Sequence, residues 1–188
     1  MIKDYPKKIV TKDATQVSLR PVVPGDEEAL VSFFSQIPSD EQWFLRERLH
    51  EPLFLKKWMS KLDYDHMLSI IAVKDDDNTI IANLTLYRSA SPSMRHVVHL
   101  RTTVHPRFRG MRLGSWMILD SVKLSMDLGI HKVIAEFVSE VEEAAIAAAQ
   151  KLDFHKEAAL KNYVRARDGS YRDLIIMVKD IHQEWSDF

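Results

Sequence analysis

Cysteine does not occur anywhere in the 188 residues of this chain. Its absence excludes disulfides, thiolate metal sites and a cysteine nucleophile together, and it fits a reducing compartment. Glycine and proline are scarce, at five and seven residues, so they act as punctuation, and the sequence holds no repeat, low-complexity tract or flexible linker. Neither sign of charge prevails: 26 basic residues stand against 27 acidic ones, for a net charge of -1. The chain as a whole therefore sets up no field that would gather nucleic acid or an anionic membrane. Long apolar runs are missing too. Nothing approaches the roughly 20 apolar residues of a membrane-spanning helix, and the stretch from Met1 to Val10 lacks the apolar core of a signal peptide. Cytoplasm is the expected setting.

What is present is a balanced globular composition, 46% apolar and 28% charged, in a length that suits one domain. Residues 1–188 read as a single domain. Ile9-Val10 and Val17 to Arg20 flank the polar Lys12 to Thr15, a hairpin signal, so residues 1–20 form an N-terminal hairpin leading into the first core strand. Pro24-Gly25-Asp26 opens a helix, with Asp26, Glu27 and Glu28 suited to the positive end of its dipole. Leu30, Val31, Phe33, Phe34 and Ile37 follow at helical spacing. Ser39-Asp40-Glu41 repeats the start signal, and Leu53 to Leu62 makes another short helix.

From His66 the period changes. Met67 to Val73, Ile80 to Leu86 and His96 to Val104 are β-branched, apolar strand signals. Asp75, Asp76 and Asp77, between the first two, belong to a solvated hairpin loop; metal cages need spaced ligands, and no metal site is expected. Leu113 to Leu128 is a helix whose apolar face takes in Leu113, Trp116, Met117, Leu119, Val122, Leu124, Ser125 and Leu128, closed by Gly129. Val133 to Val138 is a strand and Glu142 to Leu152 an alanine-rich helix. Lys156 to Arg165 and Tyr171 to Val178 flank the turn signal Ala166 to Ser170. This order predicts an α/β fold, a mixed sheet with helices on its faces. The tail from Ile181 to Phe188 reads as surface or interface.

The segment that carries chemistry runs from Thr102 to Ser115. A strand ends at Val104, Pro106 stops further pairing, and a basic turn with Gly110 leads into a helix. Successive amides at a helix start, with glycines that let a phosphate approach, form an anion cradle, and Arg109 and Arg112 add charge at its mouth. A plain strand-loop-helix corner explains the same residues equally well. No Gly-Lys-Ser/Thr follows, and the three spaced glycines of a dinucleotide fingerprint are missing.

Val104-His105-Pro106 followed by Phe108-Arg109-Gly110-Met111-Arg112-Leu113-Gly114 resembles motif A of the GNAT superfamily of acetyltransferases. The resemblance implies a mostly antiparallel, twisted central sheet flanked by helices. It also implies acetyl-CoA as co-substrate, held at Thr103, Val104, Arg109, Gly110, Met111, Arg112, Leu113, Gly114 and Ser115. Arg112 stands where the family usually has a middle glycine, a change expected to matter little to an amide in helical φ/ψ. Motif B is matched less well: Glu142, Ala145, Ala149 and Asp153-Phe154 occupy its places, and Ala149 lacks the phenol that many members use as general acid. Thr11 to Val22 with Pro24-Gly25-Asp26 resembles the branch of bacterial protein lysine acetyltransferases. In that branch a glutamate is the general base where this chain has His99.

His99 is accordingly the candidate catalytic base, since an imidazole near neutral pKa can take a proton from an attacking ammonium; a strand histidine hydrogen-bonded in the interior is the plainer alternative. Asn83, Thr102 and Thr103 line a site or simply pack the ladder, and Trp43, Phe44 and Leu45 shape an acceptor pocket or the core. The implied partners are acetyl-CoA and an amine acceptor, small molecule or protein lysine, with homodimerisation left open and no nucleic acid or membrane expected. A non-catalytic acyl-CoA-binding sensor is the rival function, motivated by the residues at 99 and 149.

Overall fold

The computed structural model describes residues 4–45, 47–60 and 62–181, so the expected surface tail from His182 onward lies outside the described residues. The N-terminal hairpin forms where the sequence puts it: β1 (Lys7–Val10) and β2 (Gln16–Pro21) pair antiparallel, Lys7 opposite Leu19 and Val10 opposite Gln16. Three helices follow, α1 (Glu27–Ser35), α2 (Ser39–Gln42) and α3 (Pro52–Met59). Asp26 precedes α1 without capping it. Its carboxylate is spent elsewhere, on both terminal nitrogens of Arg20 at 2.7 Å and on the Val23 amide at 2.9 Å. The remaining elements are β3 (Met67–Lys74), β4 (Ile80–Arg88), β5 (Val97–Val104), α4 (Leu113–Asp127), β6 (Lys132–Val138), α5 (Glu143–Gln150), β7 (His155–Arg165) and β8 (Tyr171–Asp180).

The eight strands form one sheet in the order β1-β2-β3-β4-β5-β6-β8-β7. β2 pairs antiparallel with β3, and β8 with both β6 and β7, whereas β5 and β6 run parallel. The parallel β5–β6 pair follows from α4, which carries the chain back between them. The expected mixed, mostly antiparallel sheet with helices is the fold observed. The chain divides into two compact units, Met1–Thr85 with Thr102–Met117 and Leu86–Arg101 with Ile118–Phe188.

In the first unit, α1 and α3 lay Leu30, Phe33, Phe34, Leu55 and Met59 against Ile71 and Val73 of β3. Leu45 packs at the margin of that cluster while Trp43 is exposed, so of the three residues before β3 only part serves the core. Along β3 and β4 nearly every side chain is buried, as expected of central strands covered on both faces. The polar residues among them satisfy one another. Asn83 Nδ2 donates to Ser69 Oγ at 2.7 Å, Thr85 Oγ1 donates to Asn83 Oδ1 at 3.2 Å, and Ser69 and Thr85 hydroxyls lie 3.1 Å apart. Asn83 is thus a packing residue of the ladder, one of its two readings.

Helix α4 buries a narrower stripe than the sequence pattern drew: Leu113, Met117, Ile118, Ser121, Leu124 and Ser125 point inward, and Trp116 and Leu119 are exposed. The true stripe includes two serines because small side chains let the helix lie close; Ser121 Oγ donates back to Ile118 O at 2.7 Å. Gly129 closes the helix with φ +66. Its amide donates to Met126 O and that of Ile130 to Ser125 O, the paired bonds of a Schellman end. In the second unit, β7 is the outer strand beyond β8. Its pairing slips between Lys156 and Ala158 and again between Leu160 and Val164. Asp173 of β8 takes up the second slip, accepting from the Asn162 amide at 3.0 Å and from Lys161 Nζ at 2.7 Å.

Candidate active site

The anion cradle is assembled from the end of β5, a tight basic turn and the first residues of α4. After Val104, residues Pro106–Phe108 make a single 3-10 turn headed by His105, whose Nδ1 accepts from the Arg107 amide at 3.2 Å. Gly110 and Arg112 both have left-handed backbones, φ +73 and +64, on either side of Met111. The helix ladder then begins with Trp116 N–H donating to Arg112 O at 3.0 Å. The amides of Leu113, Gly114 and Ser115 head the helix with no partner inside it. Left-handed residues leading into helix-start amides outside the ladder form a concave set of donors suited to an anion. Gly114 serves the packing beneath: a Cβ there would come within 3.4 Å of the Val104 side chain. The structure therefore brings Val104, Gly110, Met111, Arg112, Leu113, Gly114 and Ser115 together in one turn, with Thr103 next to them on β5.

Two readings of this turn change. Arg112 is not in helical φ/ψ, so its replacement of the usual glycine does matter: the position needs a left-handed backbone that costs a residue with a Cβ about 1–2 kcal/mol. Arg109 does not stand at the mouth as a bare cation, since its guanidinium is paired with protein groups. Its Nε donates to Val104 O at 3.0 Å, and its two terminal nitrogens donate to the Glu41 carboxylate at 2.8 and 2.6 Å. Its own amide donates to Pro106 O. Arg109 thus ties the turn to α2, while Arg112 is exposed at the mouth. The imidazole of His105 reaches Gln36 Oε1 at 3.3 Å. Burial first, then the charges of Arg107 and Arg109, hold His105 below its ordinary pKa.

His99 stands five residues before Val104 on β5, opposite Ile134 of β6 in the parallel register. The β5–β6 pairing ends at Leu100↔Ala135 although β6 runs on to Val138. Beyond that point Arg101 Nη1 donates to the Glu136 carbonyl at 2.7 Å, replacing the lost ladder bond, and its guanidinium lies 3.9 Å from the Glu142 carboxylate. Glu142 in turn accepts from the Val138 amide at 2.7 Å. His99 Nδ1 sits 3.4 Å from Glu136 Oε1. Sequence reading missed Glu136. Its signal was faint: a lone carboxylate at the outward alternation of a strand whose neighbours Val133 and Ala135 are buried, while the register that places it near His99 is set by the sheet.

The model of the Acetyltransferase (GNAT) family matches residues 32–154, more than half of the chain, spanning the turn, β5 and β6. The chain belongs to the Acetyltransferase (GNAT) family. Solved structures agree in fold. An acetyltransferase of the GNAT family from Streptococcus pneumoniae superposes with a TM-score of 0.75 at 18% identity, covering 88% of this chain and 99% of that one. The ribosomal-protein-S5-alanine acetyltransferase of Vibrio fischeri gives 0.75 at 16% identity over 92% and 97%. The GNAT domain of PAT from S. lividans gives 0.70 at 17% over 93% and 96%. At these identities the likeness is one of fold, and the lysine-acetyltransferase branch is not singled out. In this GNAT chain Ala149 is the one buried residue of α5, the helix after β6. Among the described residues no helix is long and apolar enough to cross a membrane, and no group of three metal-ligating side chains occurs.

Proposed function

We propose that this GNAT chain transfers an acetyl group from acetyl-CoA directly to an amine, of a small molecule or a protein lysine, as a single cytoplasmic catalytic domain spanning 1–188. The observation that carries the reading is the donor set at the head of α4. Two left-handed residues, three amides outside the helix ladder and the exposed Arg112 fit a diphosphate. Gly110, Met111, Arg112, Leu113, Gly114 and Ser115 would hold it there, with Thr103 and Val104 lining the adjoining strand. Bound in this way, acetyl-CoA supplies the activated thioester.

The protein's contribution is placement and proton removal. Holding thioester and amine in line is worth up to about 7–11 kcal/mol in favourable cases. A neutral amine is required for attack, and His99 is the group that accepts its proton, directly or through a water. No phenol stands at position 149 to protonate the departing thiolate, so that proton comes from solvent or from the imidazolium formed in the first step.

The test is CoA release by purified protein against amines, polyamines and lysine peptides, with binding followed by calorimetry. Turnover with an amine is expected. Gly114→Val should lower acetyl-CoA affinity at least about tenfold, roughly 1.4 kcal/mol, by pushing α4 away from Val104. Tight binding with no turnover on any amine would make the chain a sensor, and unchanged binding in folded Gly114→Val would move the cofactor elsewhere.

A further inference from the structure

Among groups outside the cradle, the best defined is the one at the end of the β5–β6 ladder. His99 is 41% exposed, yet its Nδ1 is fully buried and lies 3.4 Å from Glu136 Oε1, on a carboxylate that is itself only 18% exposed. The exposed area therefore belongs to the rest of the ring. Glu136 is in turn held: Arg101 donates to its carbonyl at 2.7 Å, just where the strand pairing stops.

We propose that Glu136 is a positioning residue that accepts the Nδ1–H of His99 and leaves Nε2 as the nitrogen that takes the proton of the acceptor amine. The proposal rests on His99 being the base. A neutral imidazole carries one N–H, and a carboxylate beside Nδ1 draws it there, since the carboxylate can only accept. The lone pair then lies at Nε2. When the ammonium R–NH3+ gives its proton to Nε2, the ring becomes an imidazolium with both nitrogens protonated, and the Glu136 carboxylate balances the new charge at Nδ1. The amine leaves as R–NH2, able to attack. Product formation returns the proton to solvent, and no other reactant is needed. A separation of 3.4 Å is long for a finished hydrogen bond, but catalytic pairs commonly close up only with substrate bound.

The neighbouring charges divide by strand. Arg101 shares the His99 face of β5, two residues on. β6 contributes Glu136, and Glu142 precedes α5, 3.9 Å from Arg101. The end of β4 carries Tyr87 and Arg88, the latter donating to Arg95 O. Glu142 is the carboxylate beside Arg101, and Glu136 is the carboxylate beside His99 Nδ1, placed to answer a proton on the ring.

The experiment compares wild type, Glu136→Gln, Glu136→Asp and His99→Gln in the full chain. The His99 imidazole is followed by NMR titration, and kcat/KM is measured from pH 5.5 to 9. In Glu136→Gln the His99 midpoint is expected to move to lower pH and its Nδ1–H tautomer preference to weaken. kcat should fall at least about tenfold with KM for acetyl-CoA unchanged, as when a group acting only on the proton is lost. The acid limb of the rate profile should move with the NMR midpoint, and Glu136→Asp should recover part of both. An unchanged His99 titration and tautomer in folded Glu136→Gln overturns the pairing. A His99→Gln protein with full activity overturns the base assignment instead, whatever the NMR shows, so the two failures are told apart.

Discussion

Two single residues state what the turn after β5 demands. Arg112 holds a left-handed backbone with a Cβ attached, at φ +64. Arg112→Gly removes that strain but adds freedom to the unfolded chain, so stability should change by less than about 1 kcal/mol, whereas Arg112→Val should lose about 2 kcal/mol, because a β-branched residue fits that region worst. Chemical denaturation measures both. The same Arg112→Gly change removes the exposed cation, and acetyl-CoA affinity should fall about fivefold, near 1 kcal/mol, with a weaker dependence on salt. His105 carries a second demand. Its pKa is held below the ordinary 6.5 by burial and by Arg107 and Arg109, and its Nδ1 must stay unprotonated to accept from the Arg107 amide. A depressed folded pKa gives stability that is complete above about pH 6.5 and lost as pH falls through the folded value. His105→Asn should therefore flatten the slope of stability against pH between 5 and 6.5, and a slope equal to that of wild type would detach His105 from it.

At the scale of elements, the turn after β5 is joined to the helices that precede β3. Arg109 connects the Val104 carbonyl to both oxygens of Glu41 on α2, and His105 approaches Gln36 just past α1. Because its guanidinium is engaged by protein, Arg109→Ala should weaken CoA and dephospho-CoA alike, and Glu41→Gln should reproduce much of that loss. A larger loss for CoA than for dephospho-CoA would mean that the guanidinium leaves Glu41 for the 3′-phosphate. Sequence patterns reached the elements themselves: period two from Met67, the proline stop after Val104, and the Gly129 end of α4 all stand where composition put them. They reached the buried side of α4 only in part: Leu113, Met117, Leu124 and Ser125 lie inward as expected. Trp116 and Leu119 count as apolar in any pattern, but only the sheet decides that Ile118 and Ser121 lie beneath the helix instead.

Over the whole molecule, what stayed hidden is whatever depends on register. Arg109 with Glu41, and His99 with Glu136, join residues 68 and 37 positions apart by strand order and helix placement, which local periodicity does not encode. The fold class needed only the order of elements, and the turn leading into α4 needed only adjacent residues, so both were legible. The same sheet has two outer strands, and neither is a plain ribbon. β1 is four residues long with Lys7 and Lys8 in it. β7 exposes Lys156, Glu157, Lys161 and Arg165 and slips its pairing twice. Charged, bulged borders are what keep sheets from growing by recruitment of further chains. Replacing Lys156 and Lys161 together by Val should raise light scattering on heating, with little change in the unfolding midpoint at high dilution. Both rims of the sheet thus meet an approaching strand with like charge or a broken pairing register, so that recruitment of a further chain is opposed at either side.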